Sequence, residues 1–272
     1  MLPEQHQVGV APPVAHHGLG GVAVELAAAA RLRGRAQGPQ AEALGDPRAG
    51  AGPLLGHGPP VPGNRAGMTD TPLRALVLVC TLKPSPAESS SQLLGAQVLR
   101  ELEEHGVTGE VVRVVDHDVR FGVSADEGDG DAWPEIRAKM LVSDILVVAT
   151  PIWMGQPASV CKMVLERLDA ELSETDDEGR MLTEGKVGVV AVVGNEDGAH
   201  HVVAEVLQAL NDTGFTIAAS AGTYWVGEAM QSTDYNELDP TPEKTAATTE
   251  AAARHAAHLA RLLKDAPYPG PQ

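Results

Sequence analysis

The sequence predicts a doubly wound α/β domain built on a five-stranded parallel sheet. Five short apolar runs alternate with longer segments of helical spacing, and each run is apolar on both faces. Strands that are buried on both faces are typical of parallel sheets covered by helices. The intervening segments are long enough for right-handed crossover connections. Such a sheet binds ligands at the carboxyl ends of its strands, where the strand order reverses.

The strands begin after Arg74. Each predicted strand is a run of mainly Val, Ile, Leu and Ala, bounded by polar residues or glycine. Runs of this length and composition indicate buried strands. The five predicted strands are residues 75–79, 110–115, 144–150, 186–193 and 215–220.

The helices lie between and after these strands. Apolar residues three and four positions apart predict helices at residues 91–106, 133–143, 157–172 and 201–214. Two of these segments end near glycine, as helices commonly do. A fifth helix is predicted from Pro242 to Leu263. Thr241 is its predicted N-cap, with Pro242 at the first helical position.

Charge and cysteine content exclude several functional classes. The chain has 37 acidic and 20 basic residues, a formal net charge of −17. Such a surface repels phosphate backbones, so nucleic acid and anionic membranes are not expected partners. No stretch has the roughly 20 apolar residues needed to cross a bilayer, so no membrane insertion is expected. The two cysteines cannot form a disulfide framework, and we expect a reducing, cytoplasmic location.

Residues 1–67 differ in composition from the rest. They contain Pro and Gly throughout, no Lys, five Arg and four acidic residues, and no pattern that would build a core. We predict that residues 1–67 are a disordered or non-native N-terminal extension and that residues 68–272 form the domain. Met68, just before the first strand, is the predicted natural start. A transit peptide is the alternative, but the segment lacks the Ser that such peptides favour.

The loop after the first strand, CTLKPSPAESSSQLLG (80–95), is rich in hydroxyl groups. It has neither a dinucleotide glycine fingerprint nor a GK[ST] sequence, which argues against an NAD-type Rossmann loop and an ATPase. Free N–H groups at a helix N-terminus favour an anion, so we predict a phosphate site here. The alternative is that the serines only cap the helix. The candidate residues are Thr81, Lys83, Ser85, Ser89, Ser90 and Ser91.

The loops after the third and fourth strands suit a flat ring. A ring needs an apolar face and polar groups at its edge, and glycine lets the backbone approach closely. The first of these loops supplies Pro151, Ile152, Trp153, Met154 and Gly155, and the second supplies Gly194, Asn195, Glu196, Asp197 and Gly198. The alternative is that Trp153 and Met154 pack in the core or at a subunit interface. No metal site is predicted, because the neighbouring His200 and His201 point in different directions on a helix.

Three motifs in this order resemble the flavodoxin-like NAD(P)H-dependent FMN reductase family. They are LKPSPAESSS (82–91), TPIWMGQP (150–157) and VVGNEDGAHH (192–201), and TYWVGEAM (223–230) is also similar. The resemblance covers about Pro72 to Tyr235. The family's phosphate loop usually ends in Ser-Asn-Thr, where this chain has three serines. The resemblance implies a flavodoxin-like sheet of strand order 2-1-3-4-5, with FMN as a dissociable prosthetic group and NAD(P)H as co-substrate.

The same resemblance implies two-electron transfer to a small-molecule acceptor, such as a quinone, free flavin, nitro or azo compound. No side chain is required as an acid or base, so the catalytic residues are unassigned. Two alternatives remain open: an electron carrier of the flavodoxin type, and a flavin-free binding or scaffold protein. A homodimer or higher homo-oligomer is expected, because a second copy would cover an open ring face near Trp153, Met154, Tyr224 and Trp225.

Overall fold

The computed structural model describes residues 72–271. The predictions for residues 1–67 and for Met68 therefore lie outside the described residues. The strands are β1 Leu73–Val79, β2 Val107–Arg113, β3 Ile145–Trp153, β4 Gln156–Pro157, β5 Val187–Gly194 and β6 Thr216–Val226. The helices are α1 Ser90–Glu103, α2 Trp133–Leu141, α3 Ser159–Leu168, α4 Ala199–Asp212 and α5 Glu243–Asp265. None of these helices is long and apolar enough to span a membrane.

The five long strands form a parallel sheet in the order β2-β1-β3-β5-β6. Counted along the chain, this is the predicted order 2-1-3-4-5, so the flavodoxin-like topology is confirmed. The two-residue strand β4 pairs antiparallel with the end of β3. It was not predicted, because two residues carry no periodicity, and it closes a tight hairpin at the edge where the candidate loops lie.

Helices cover both faces of the sheet. Alternate residues of β1 point to opposite sides: Leu76 and Leu78 join the core beneath α2, α3 and α4, whereas Val77 and Val79 join the core beneath α1 and α5. Helix α1 lies very close to the sheet, since a Cβ atom added at Gly95 would be 2.9 Å from Val77 Cγ1. This packing fixes where each helix begins, and so fixes the loops at the carboxyl ends of the strands.

Three strands differ from their predicted bounds by three or more residues at one end. β3 continues to Trp153 because it pairs with β4, and β6 continues to Val226 along β5 after an irregularity near Ser220, whose φ is 58°. β2 begins at Val107 because its polar residues lie on the exposed face of an edge strand.

The N-cap prediction for α5 is wrong. The helix begins at Glu243, Pro242 occupies the N-cap position, and no side chain caps the helix. The hydroxyl of Thr241 instead accepts a hydrogen bond of 3.0 Å from Gln97 Nε2. A side-chain partner on α1 therefore replaces the local cap that the sequence suggested.

Candidate functional site

The loops that follow β1, β3 and β5 meet at one edge of the sheet. These strands are parallel neighbours, so their carboxyl ends lie side by side. The second and third loops touch: a Cβ atom added at Gly194 would lie 2.9 Å from Ile152 Cβ, and one added at Gly198 would lie 2.9 Å from Gly155 Cα. The structure thus places the predicted loops at a common edge, with glycine allowing the closest approach.

Buried hydroxyl groups lie at the N-terminus of α1 and in the loop before it. Ser89 is the N-cap, and its Oγ accepts a hydrogen bond from the N–H of Gln92 at 3.3 Å. The Oγ atoms of Ser89 and Ser91 lie 3.1 Å apart, and both side chains are buried. Thr81 is also buried, and its Oγ1 accepts from the N–H of Lys83. We call Thr81, Ser89 and Ser91 the hydroxyl cup.

Two of the predicted phosphate-site serines are bound to other residues. Ser85 donates its N–H and its hydroxyl to the carboxylate of Asp116, at 2.7 and 2.5 Å. These bonds lower the pKa of Asp116 below its ordinary value. The hydroxyl of Ser90 donates to Asn236 Oδ1 at 2.6 Å. Lys83 is exposed at the rim of the loop. The hydroxyl cup is therefore smaller than the set that the sequence proposed.

Arg113, at the end of β2, braces this loop and was missed by the sequence analysis. Its guanidinium donates to the backbone carbonyls of Lys83 and Ala87 at 3.1 and 2.8 Å, and to Gln92 Oε1 at 2.8 Å. The side chain is buried. An arginine in the predicted strand 110–115, whose other residues apart from Glu110 are all valines, was the signal that could have identified it.

Met154 and Gly155, which we call the ring turn, connect β3 to β4. Both have positive φ angles, 55° and 71°. The side chains of Trp153 and Met154 are 54% and 89% exposed, whereas Ile152 is buried beneath Gly194. The edge therefore presents an indole and a thioether, while Ile152 belongs to the core.

The third loop, residues 195–198, holds the ring turn through one side chain. The carboxylate of Glu196 accepts hydrogen bonds from the N–H groups of Met154 and Gly155, at 3.0 and 3.1 Å. Asp197 is exposed. The N–H groups of the ring turn are thus already bound to protein.

Asn195 carries an unpaired acceptor. Its Nδ2 donates to Asp234 Oδ1 at 3.0 Å, which fixes the orientation of the amide, and its Oδ1 is buried without a partner. Its backbone carbonyl accepts from the N–H of Met230, which is 97% exposed. The segment after β6 therefore also borders the site, as the similarity of TYWVGEAM suggested.

The histidines of α4 contact other side chains of this edge. His200 Nε2 lies 2.9 Å from the hydroxyl of Tyr224, and His201 Nε2 lies 3.0 Å from Gln156 Oε1. Within residues 72–271, no three His, Cys, Asp or Glu side chains are grouped as a metal site.

The opposite edge of the sheet contains a cleft of about 240 Å³. Lys186 lines it and donates to the backbone carbonyls of Leu141 and Ser143, at 2.7 and 2.9 Å. Burial lowers the pKa of Lys186. Lys264 pairs with Asp144 at 3.0 Å, and Arg180 pairs with Asp176. Because these charged groups already serve internal contacts, we do not choose this cleft as the site.

The carboxyl edge fits FMN by the chemistry of its donors and acceptors. The hydroxyl cup and the first N–H groups of α1 suit a phosphate, which needs donors. The orphaned Oδ1 of Asn195 suits the single N–H of an oxidised flavin ring. Trp153 and Met154 offer apolar surface to the ring.

The sequence matches one family profile and is similar to two characterised proteins. Residues 73–231 match the profile of the family described as NADPH-dependent FMN reductase. The chain is 34% identical over 206 residues to the 8-demethyl-8-aminoriboflavin-5′-phosphate synthase of Streptomyces davaonensis, covering 72% of this chain and 80% of that protein. It is 39% identical over 172 residues to the divalent metal cation transporter MntH of Mycobacterium bovis, covering 62% of this chain but only 25% of that protein.

A solved structure is also similar. The crystal structure of RosB with the bound intermediate 8-demethyl-8-formylriboflavin-5′-phosphate has a TM-score of 0.67 and 34% sequence identity. The match covers 72% of this chain and 82% of that chain.

Proposed function

The chain belongs to the NADPH-dependent FMN reductase family, and on that premise we propose that it transfers a hydride from NAD(P)H through FMN to a small acceptor. The family assignment makes the protein a flavin-dependent oxidoreductase, with FMN as cofactor and NAD(P)H as electron donor. The acceptor that we propose is a quinone, free flavin, nitro or azo compound.

One observation carries this proposal: a single edge of the sheet combines donors for a phosphate with exposed apolar groups and an unpaired acceptor. The donors are the hydroxyl cup and α1, the apolar groups are Trp153 and Met154, and the acceptor is Asn195 Oδ1. The loop motifs that resemble the family lie at the same edge.

In this proposal, the protein's own residues bind FMN and orient its ring. The hydroxyl cup and the N-terminus of α1 would hold the phosphate, where the helix dipole favours negative charge. Asn195 would fix the polar edge of the ring, and Trp153 with Met154 would exclude water from one of its faces. Bound FMN supplies hydride acceptance and donation. No side chain is assigned as a proton donor.

Anaerobic mixing of the FMN-loaded chain with NADPH or NADH tests the proposal. We expect the flavin absorbance to bleach and then to return when a quinone is added. If FMN binds but neither nucleotide reduces it, the protein is an electron carrier of the flavodoxin type instead. If no flavin binds at all, it is a flavin-free protein of the same fold.

A second candidate function is chemical modification of FMN itself. The name of the Streptomyces relative describes formation of an 8-amino riboflavin phosphate, and the RosB structure holds an 8-formyl riboflavin phosphate. Mass spectrometry of FMN after incubation with the protein, an oxidant and an amino-group donor separates the two candidates. An unchanged flavin mass supports the reductase, whereas a change at the 8-methyl position supports the modifying enzyme.

Assembly as a homodimer is part of the proposal. Trp153 and Met154 are exposed, and Tyr224 is 37% exposed, so a second copy has apolar surface to cover. Trp225 instead packs against Tyr235, with ring centroids 5.5 Å apart. Light scattering on the flavin-loaded protein should give twice the chain mass; the mass of one chain at micromolar concentration would exclude a stable dimer.

A further inference from the structure

The ring turn adopts a backbone conformation that its sequence does not favour. Trp153 pairs with Gln156, so Met154 and Gly155 form a two-residue hairpin loop. Both have positive φ, as type I′ turns require. Glycine adopts this conformation freely, but a left-handed conformation costs a residue with a side chain free energy. Met154 therefore needs support from outside the turn.

Glu196 gives that support. Its Oε1 accepts the N–H of Met154 at 3.0 Å and its Oε2 accepts the N–H of Gly155 at 3.1 Å, so one carboxylate binds both amides of the turn. Hydrogen bonds to an ionised acceptor are about twice as strong as neutral ones. Gly198 completes the contact, because any Cβ atom there would meet Gly155.

These bonds have two consequences for a ligand at this edge. Both N–H groups of the ring turn are directed at Glu196, so neither is available to donate to a flavin ring. The carboxylate also adds a negative charge to the protein beside the turn. A negative charge near a group that gains electrons opposes that gain.

We propose that Glu196 is a positioning residue that locks the ring turn and keeps the potential of bound FMN low. This inference rests on the proposed function for its second part, since it requires FMN at this edge. The lock itself requires only the protein. With the lock in place, the amides of Met154 and Gly155 face the third loop in every redox state of the cofactor.

Three variants of the full chain test the lock and the charge separately. Glu196→Ala removes both acceptors, whereas Glu196→Gln keeps one oxygen acceptor and removes the charge. Asp118→Asn is the matched control: it removes one exposed carboxylate from the loop after β2 without touching the ring turn. Amide hydrogen exchange is measured without FMN, and FMN affinity and midpoint potential are measured with it.

We expect Glu196→Ala to speed exchange at Met154 and Gly155 by about 10-fold or more and to weaken FMN binding to a similar extent. Glu196→Gln should restore protection of one amide and should raise the midpoint potential. Asp118→Asn should leave the amide exchange, the FMN affinity and the midpoint potential unchanged. If Glu196→Ala does not fold, Glu196→Gln still tests the lock, because one of the two amides should lose its protection from exchange.

Unchanged exchange at both amides in the Glu196 variants would overturn the lock. An equal shift of the potential in Glu196→Gln and Asp118→Asn would overturn the local effect of the charge. The exchange experiment needs neither FMN nor a nicotinamide. A wild-type protein that NAD(P)H cannot reduce would therefore refute the proposed function and leave the lock standing.

Discussion

The loop at residues 117–132 is closed by a buried ion pair, whereas the ring turn is held by one partly buried carboxylate. In the first loop, Asp131 accepts three backbone N–H groups and pairs with Arg167 of α3 at 2.7 Å, with both side chains fully buried. Arg167 also donates to the carbonyls of Arg120 and Ser124. In the ring turn, Glu196 supplies two hydrogen bonds and two large apolar side chains remain exposed.

This difference indicates that residues 117–132 have a structural role, whereas the ring turn, at the same edge of the sheet, has a functional one. Residues 117–132 also expose two large apolar side chains, Phe121 and Val123, but the buried charges that close this loop are paired within the protein. The ring turn depends on a second loop for its hydrogen bonds. Met154 in the turn and Trp153 just before it are exposed, and the residue next to Glu196 is Asn195, whose Oδ1 is unpaired. Exposed apolar groups beside an unpaired acceptor are what a flavin ring would cover, so we assign ligand binding to the second region.

The largest expected effect is on stability and lies in the first region. Asp131→Asn leaves Arg167 buried without a charged partner, and breaking such a pair costs about 3–5 kcal/mol of the free energy of unfolding. Denaturant unfolding measures this loss, and Asp129→Asn, at an exposed site in the same loop, is the control. A loss of less than about 1 kcal/mol would show that the pair does not close the loop.

The same pair makes stability depend on pH. Burial alone would raise the pKa of Asp131, but hydrogen bonds from Arg167 and from three backbone N–H groups hold it well below 3.8. A lowered folded pKa contributes stability that is complete above the unfolded value and is lost as pH falls through the folded one. Wild-type stability should fall more steeply than that of Asp131→Asn between about pH 5 and pH 2. If the free energy of unfolding of the two proteins fell with the same slope over this pH range, the role of Asp131 would be contradicted.

A smaller effect is expected on ligand affinity in the second region. Ser91→Ala removes one hydroxyl of the cup and keeps Ser89 as the helix cap. A hydrogen bond to a charged group is worth about 1.5–3 kcal/mol, so FMN affinity should fall about 10- to 100-fold. Riboflavin has no phosphate and should bind as before. Calorimetry with both flavins checks this, and an equal loss for both would mean that Ser91 only supports the fold.

The smallest expected effect concerns the contact between the two ring-side loops. Gly198→Ala places a Cβ atom 2.9 Å from Gly155 Cα, whereas a Cβ atom at Gly185 meets nothing within 4 Å. Both glycines have positive φ, 114° and 86°, so both variants should lose about 1–2 kcal/mol of stability or more. FMN affinity should fall several-fold in Gly198→Ala only. The same loss of affinity in both variants would point to backbone strain, and not to the loop contact.

Sequence reasoning predicted the sheet order and the positions of the three loops. Apolar runs such as residues 144–150 favour a parallel sheet covered by helices on both faces, whereas the strand order was implied by the family resemblance. The end of β3 was not predictable in this way. Ile152 and Trp153 extend the strand because β4 returns along them, and that hairpin depends on the backbone angles of Met154 and Gly155.

The site was predicted as a set of residues, but their partners were not. Ser85 and Ser90 looked equivalent to Ser89 and Ser91, yet they bind Asp116 and Asn236, which lie 31 and 146 residues away in sequence. Glu196 looked like a ligand contact, and its bond to a turn 42 residues earlier has no local signature. Contacts at such separations depend on the folded arrangement of the loops and not on spacing.

Hydrogen–deuterium exchange of the full chain with and without FMN tests the central claim most directly. We predict that FMN protects residues 81–91, 151–157 and 194–198 and leaves residues 117–132 unchanged. Protection confined to residues 180–186 and 264–268, around the cleft at the opposite edge, would contradict the assignment of the site.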